Sequence, residues 1–513
     1  MRVLVCNCGS SSLKFCLCEV AARTSAGDHE AVRVLFNGQA SPHGVIMPEM
    51  ADEARPTEGE PMTQPTQPSA EFPHVPAAPA DRLVGLLARF VHIEAASGVL
   101  LLLCTAVALG LANSPLAQDV VTFWATPVGV QIGAFALRHP LQHWINDGLM
   151  TLFFFVVGLE IKRELVLGEL RDLRLAGLPL AAALGGMVVP ASLYYALQVG
   201  TPGEHGWGIP MATDIAFVVG CLAVLGARVP PGLRIVLLSL AIADDVGAIL
   251  VIALAYTSHL NLAALGLGGL GTGVIVGLAR LGVRNVALYW ICGAGLWFTI
   301  HASGVHPTIA GVLLGLLTPA RSWISAGHLP EIVHRVAVYV QGERWPSDSE
   351  RHAVLRSAGF AMRETFSPLA RLETLLHPWV SFVIMPLFAL ANAGVPLQLA
   401  AFREPIAVAV LVGLGFGKPL GIVLMSRMAV SFGLAKLPEG VSWRVLTAGG
   451  ILAGIGFTMS LFIAGLALEA SALQAAKIGI LAASALCAAV GGALLCWLLP
   501  TPAARSTPPS ARA

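Results

Sequence analysis

Between Arg284 and Arg321 the chain contains no Asp, Glu, Lys or Arg. That run exceeds the roughly 20 apolar residues that cross a bilayer as one helix. The polar HASGVHP segment, His301 to Pro307, divides it into two spans. Val246 to Ala279 is also uncharged, and YTSHLN near Ser258 divides it. In lipid every backbone N–H and C=O must be paired within the element or a closed sheet, which leaves helices or a barrel. A barrel needs short strands of alternating polarity, whereas these runs are continuous. The chain therefore reads as an all-α polytopic membrane protein. Composition agrees: 56% of residues are hydrophobic, 12% are charged, and 31 basic residues nearly cancel 30 acidic ones. An ordinary soluble domain carries about 25% charged residues. This excludes a plain soluble enzyme, and the missing basic excess excludes a nucleic-acid binder.

Twelve spans are expected, centred near residues 104, 153, 187, 217, 245, 269, 294, 313, 385, 415, 457 and 486. Basic residues collect in alternate loops. Lys162, Arg163, Arg171 and Arg174 follow span two, Arg228 and Arg234 follow span four, and Arg280 and Arg284 follow span six. A long loop from Arg321 to Arg371 follows span eight, and Arg427, Lys436 and Arg444 follow span ten. The other loops hold only Arg138 and Arg403, with Lys477 opening the last span. Under the positive-inside rule both termini of this multi-pass protein face the cytoplasm. Val128 to Arg138 alternates around Gly133 and reads as a small outer hairpin.

Four regions follow along the chain. Residues 1–44 open with RVLVCNCGSSSLKFCLCEV, an alternating strand, a turn at Gly9 and a second strand. Lys14 interrupts any signal-peptide core. Residues 45–80 are rich in Pro, Glu, Gln and Thr and read as a disordered linker. Residues 81–499 are the membrane domain, and 500–513 a disordered tail. Of the nine cysteines, Cys104, Cys221, Cys292, Cys487 and Cys496 lie in apolar spans, where Cys behaves as a small hydrophobe. Cys6, Cys8, Cys16 and Cys18 lack zinc-finger spacing.

Chemistry must come from the few ionisable groups at membrane depth, since each costs about 2.5–3.5 kcal/mol to insert. These are Asp214 in span four, Asp244 and Asp245 in span five, and Lys418 in span ten. A buried ion pair locking two helices would use one acid and the lysine, leaving acids over. Neighbouring helix residues project about 100° apart, so Asp244 and Asp245 can border one cavity. Two close carboxylates in low dielectric repel, and burial also opposes their charge. Such a pair can hold protons at low pH and a small hard cation, Na+ or Li+, at high pH. Spans four and eleven are both interrupted. Pro210 and Thr213 precede Asp214, and Gly449, Gly450, Gly454 and Gly456 precede Thr458. Opened helices at membrane depth line cavities, and a pair of them points to a transport site. Half-helix ends carry partial charges that an Asp near N-termini and a Lys near C-termini would offset, which suits Asp214 and Lys418.

Seven ordered motifs carry a resemblance. They are WINDGLMTLFFFVVGLEIKREL (144–165), GIPMATDIAF (208–217), LAIADDVGAI (240–249), GVHPTIAGVLLG (304–315), RLETLLHPWVSFVIMPLFALANAGV (371–395), GKPLGI (417–422) and GIGFTMSLFIAGLA (454–467). Residues 81–499 resemble the NhaA family of bacterial sodium/proton antiporters. The resemblance implies inverted repeats with crossing, interrupted spans four and eleven. It implies cation and proton binding at Asp244 and Asp245, a Lys418–Asp244 pair when sodium is absent, and Asp214 and Thr213 at the crossing. It implies a pH-responsive cytoplasmic funnel of Glu160, Arg163, Glu164, Glu373 and His377, a pH influence of His306, and a lesser role for Asp147. It implies a homodimer through Val128 to Arg138. No cofactor and no enzymatic activity are implied, only transported Na+ (or Li+) and H+. Thr374 and Pro307 depart from common family residues, and the loop after Arg321 is longer than usual.

Residues 1–44 resemble the opening hairpin of the acetate kinase family, which places Asn7, Ser10 and Ser12 at a phosphate loop. The rest of a kinase is missing, so this reads as a non-functional fragment. Two alternatives remain at this level: a proton-coupled transporter of an organic solute, and a membrane-tethered acetate-kinase-like enzyme.

Overall fold

The computed structural model describes residues 2–9, 12–19, 94–132, 135–257, 260–283, 286–321, 352, 356, 359, 360, 364 and 366–499. The chain divides into two units, Met1–Gly85 with Trp323–Thr365, and Leu86–Ser322 with Phe366–Ala513. In the first unit, strands β1 (Arg2–Gly9) and β2 (Ser12–Glu19) pair antiparallel, from Arg2↔Glu19 to Gly9↔Ser12. This is the strand–turn–strand read from residues 1–44. The expected linker, the tail and nearly all of the loop after Arg321 lie outside the described residues.

The second unit is helical. Helices α1 (Glu94–Ala112) and α2 (Ala117–Ala125) meet at 113°. The hairpin of β3 (Pro127–Ile132) and β4 (Phe135–Pro140) follows, as the alternation around Gly133 predicts. Then come α3 (Leu141–Val166), α4 (Leu173–Gln198), a 3₁₀ segment (Glu204–Met211) and α5 (Ile215–Leu225). Next are α6 (Pro231–Ala255), α7 (Leu262–Arg280), α8 (Val286–Ala302) and α9 (Thr308–Leu317). The chain continues with α10 (Pro368–Asn392), α11 (Pro405–Ser431), α12 (Trp443–Leu452), α13 (Phe457–Ala467) and α14 (Ala470–Leu498).

All twelve expected centres fall on these helices. By length and composition, however, eight described helices can cross a membrane, or ten if each bent pair is one span. The difference lies at α8, with 17 residues, and α9, with 10. The long uncharged run contains two helices, but Pro307 starts the second late and Pro319 follows its end.

Local chemistry sets the helix starts. Asn261 accepts from the Ala263 and Ala264 N–H groups, Ser367 from Ala370, and Ser442 from Val445. Each fills orphan donors of a first turn. Helix α6 is central, with 72% of its apolar window buried, while α7 has 17% and turns its Leu residues outward as a lipid-facing helix does. Helices α4 and α11 touch backbone to backbone at Gly185 and Gly421. A Cβ at Gly185 would lie 2.1 Å from the Gly421 carbonyl oxygen, so only glycine permits this approach. It brings the start of Lys418–Ser431 against the unit's core.

Candidate cation and proton site

Span four opens at Pro210. The 3₁₀ segment ends at Met211, residues 212–214 are extended, and α5 restarts at Ile215. Span eleven opens between α12 and α13, which meet at 50°. The two breaks touch. The Asp214 N–H donates to the Ile455 carbonyl at 2.7 Å, and the Thr213 hydroxyl lies 3.0 Å from the Ala453 carbonyl oxygen. Freed backbone of each break is thus satisfied by the other, as buried backbone requires.

Asp214 caps α5. Its Oδ1 accepts from the Phe217 N–H at 3.0 Å, and its Oδ2 accepts from the Thr458 N–H at 3.1 Å and the Thr458 hydroxyl at 2.5 Å. One carboxylate therefore faces the N-terminal ends of both α5 and α13, where the helix dipoles favour negative charge. At the opposite ends the direct hydrogen bonds divide between two side chains. Lys418 Nζ donates to the Met211 carbonyl at the end of the 3₁₀ segment. The Ala453 carbonyl at the end of α12 is met by Thr213 and not by the lysine. The Lys418 ammonium is also held by Asp244 Oδ2, at 2.8 Å. The Thr213 hydroxyl reaches that same oxygen at 2.7 Å.

Asp245 completes the group, and its Oδ1 is buried without a hydrogen-bond partner, as is Oδ1 of Asp244. All five side chains, Thr213, Asp214, Asp244, Asp245 and Lys418, are at most 1% exposed. Three carboxylates stand against one ammonium. Asp214 is matched by helix ends and Asp244 by Lys418, which leaves Asp245 as the unmatched acid. The orphan oxygens are hard donors suited to a proton or a small hard cation. Among the described residues no three His, Cys, Asp or Glu side chains are placed to hold a metal ion together. A cation here would take the two aspartates with hydroxyl, carbonyl or water oxygens.

Of the other candidates, Arg163 pairs with Glu373, tying α3 to α10, and its second nitrogen lies 3.6 Å from Glu164. Glu160, one turn earlier, interacts electrostatically with Arg163, Glu373 and Glu164, and Asp245 in turn feels Glu160. His377 is exposed, one turn beyond Glu373. His306 is elsewhere. Helices α3 and α9 run side by side, with Gly311 at Thr151 and Gly315 at Phe155 and Gly158, so His306 lies beside the start of α3. There it shares a cavity with Asp147, about 20 Å along the helix from Glu160. Its Nδ1 is 2.8 Å from the Thr308 hydroxyl.

Sequence reasoning missed Thr458 as an Asp214 donor and Ser484, whose hydroxyl accepts the Phe457 N–H at 3.1 Å and so caps α13 from α14. It also missed an amide cluster in which Asn392 bonds Asn146 and Gln142. Polar residues inside apolar helices were the available signal.

A family model described as Na+/H+ antiporter 1 matches residues 88–495. The chain is 52% identical over 424 residues to a protein named Na(+)/H(+) antiporter NhaA 2 from Acidiphilium cryptum, covering 83% of this chain and 94% of that one. It is 53% identical to Na(+)/H(+) antiporter NhaA of Rhizobium meliloti, covering 81% and 95%, and 52% identical to its namesake in Rhodopirellula baltica, covering 83% and 97%. The acetate kinase resemblance of residues 1–44 finds no support in these comparisons. A multi-pass membrane protein with two broken helices joined at a buried aspartate site, this chain belongs to the NhaA family of Na+/H+ antiporters.

Proposed function

We propose that the protein exports cytoplasmic sodium, and lithium, in exchange for external protons at Asp244 and Asp245. The observation that carries this reading is the pair of buried, unpartnered Oδ1 atoms beside the Asp244–Lys418 ion pair. With the site open to the cytoplasm, loss of protons leaves Asp245 ready to accept a cation. The cation also draws on Asp244, loosening its bond to Lys418. With the site open outward, protons return to the aspartates, the cation leaves and the Lys418–Asp244 pair re-forms. The same carboxylates hold proton or cation, so exchange follows from competition. Access alternates by movement of helices around the joined breaks at 212–214 and 453–456.

More protons than cations move in each cycle, making the exchange electrogenic. Each net charge then draws about 2.3 kcal/mol per 100 mV from the membrane potential. Both termini lie in the cytoplasm of an inner-membrane protein. Glu160, Arg163, Glu164, Glu373 and His377 form the cytoplasmic entrance, and deprotonation there raises activity with pH. Two copies associate through β3 and β4. The test is fluorescence dequenching in everted vesicles on adding sodium. Asp245→Asn is expected to bring the response to background, and full sodium-dependent proton flux in that variant would overturn the assignment.

A further inference from the structure

Asp214 Oδ2 is filled from the first turn of α13, by the Thr458 N–H and hydroxyl. That turn begins at Gly456, which has no side chain to cap it. The surroundings leave no place for one. A Cβ on Gly456 would lie 2.1 Å from the Ser460 hydroxyl oxygen, itself bonded to the Ile209 carbonyl, and 3.1 Å from the Ala212 carbonyl oxygen. The usual capping residues, Ser, Thr, Asp and Asn, are therefore kept out of the position. The Phe457 N–H needs an acceptor from another helix. Ser484, 5% exposed on α14, provides it at 3.1 Å.

Ser484 is one of three residues on α14, spaced i, i+3 and i+7 along one face, that touch irregular backbone. Cys487 has its thiol 3.9 Å from the Leu414 carbonyl oxygen. That oxygen lies in a π turn of α11, Gly413–Gly417, where the Lys418 N–H bonds the Gly413 carbonyl. The following residue, Pro419, has no N–H to give. Leu414 thus misses both helical donors and faces a weak one, the thiol. A Cβ on Gly491 would lie 2.9 Å from the Leu452 nitrogen, at the end of α12. One face of α14 therefore borders both sides of the break in span eleven and the turn that leads into Lys418. The Ser484 bond is the shortest hydrogen bond this face makes to them.

We infer that Ser484 is a positioning residue of the exchange site, fixing from α14 the turn that presents Thr458 to Asp214. The Asp214 N–H bonds the Ile455 carbonyl, just before that turn, and the neighbouring Thr213 hydroxyl reaches Asp244 Oδ2 at 2.7 Å. The start of α13 thus governs contacts to two aspartates. A neutral hydroxyl suits the position. It takes one N–H of the first turn and leaves the charge at that helix end to Asp214, which a second acid there would repel. This role rests on the exchange reading of Asp244 and Asp245.

The experiment uses the full chain in everted vesicles. The dequenching response is read over a range of sodium concentrations, and its maximum is scaled to the amount of protein in the membrane. Loss of folded protein alone lowers the maximum and leaves the half-saturating sodium concentration where it was. Ser484→Ala is expected to raise that concentration about three- to tenfold, a fraction of what an orphaned buried N–H costs when felt in full. Ser484→Thr keeps the hydroxyl and is expected to stay within about twofold of the parent. Ser484→Cys keeps the size but accepts weakly; it is expected to follow Ser484→Ala, and it serves in its place if the alanine variant does not reach the membrane. A half-saturating concentration unchanged in Ser484→Ala and Ser484→Cys, or raised as far by Ser484→Thr, overturns the positioning role while exchange by the parent stands. Absence of sodium-dependent proton flux in the unaltered protein overturns the exchange reading, and this role with it.

Discussion

Asp214 and Asp245 are buried to the same degree, 1% exposed, and their surroundings are opposite. Asp214 has both oxygens filled, by two backbone N–H groups and a threonine hydroxyl from the ends of two half-helices. Asp245 has a buried oxygen with no donor at all. The first arrangement offsets part of the cost of burying a negative charge in a low dielectric. The second leaves a charge unmet, so that it needs a proton or a cation. In the exchange proposed above, equal burial separates into a carboxylate that bonds both broken helices and one that is left to exchange its partner.

The largest test of this contrast is transport. Asp245→Asn abolishes sodium-dependent proton flux, whereas Asp214→Asn retains measurable flux, and equal loss in both would erase the distinction. Next is stability. Lys418→Met leaves Asp244 charged and alone, at a cost of about 3–5 kcal/mol, seen as a lower unfolding temperature in detergent at pH 8. Combining it with Asp244→Asn recovers most of that loss. If the pair of changes costs as much as Lys418→Met alone, the ion pair is not what the lysine contributes.

Asp214→Asn keeps an acceptor but loses the charge facing two helix N-termini. It is expected to cost about 1–2 kcal/mol, less than Lys418→Met in the same melt. The last effect, confined to acid pH, concerns His306, in the connection between α8 and α9. Burial holds its pKa down at about 4, below the roughly 6.5 of an unfolded histidine. Between those values the unfolded chain binds the extra proton, so stability falls as pH drops from 6.5 towards 4. His306→Gln should soften that decline and leave the curve above pH 7 unchanged. A change confined to alkaline pH would contradict it.

The fold and the acids of the site were legible because charge in an apolar run is conspicuous. Asp214, Asp244, Asp245 and Lys418 stand out for that reason, and the same uncharged runs locate the helices. The hairpin at Pro127–Pro140 was legible from its alternation and glycine. Hydroxyl partners were not. Thr105 and Thr447 bond the carbonyl four residues back in their own helices, and Thr458 and Ser484 look no different in sequence while they serve other helices. That Lys418 bonds the Met211 carbonyl while Thr213 bonds that of Ala453 is a matter of distances between segments far apart in the chain. The resemblance gave His306 a pH influence without a place, and the side-by-side run of α3 and α9 puts it beside the start of α3.

The wide π turn Gly413–Gly417, immediately before Lys418, has a consequence for reading helical wheels. A turn closed by i→i+5 bonds takes in about one residue more than an α turn. A wheel drawn through Pro405–Ser431 at 100° per residue therefore slips by about one position, roughly 100°, on passing it. Phase taken from Ala407, Ala409 and Val410, all buried, gives the wrong azimuth for Lys418. The span is two half-wheels with an offset between them, and a scan for one apolar stripe along its full length blurs at the residue that matters most.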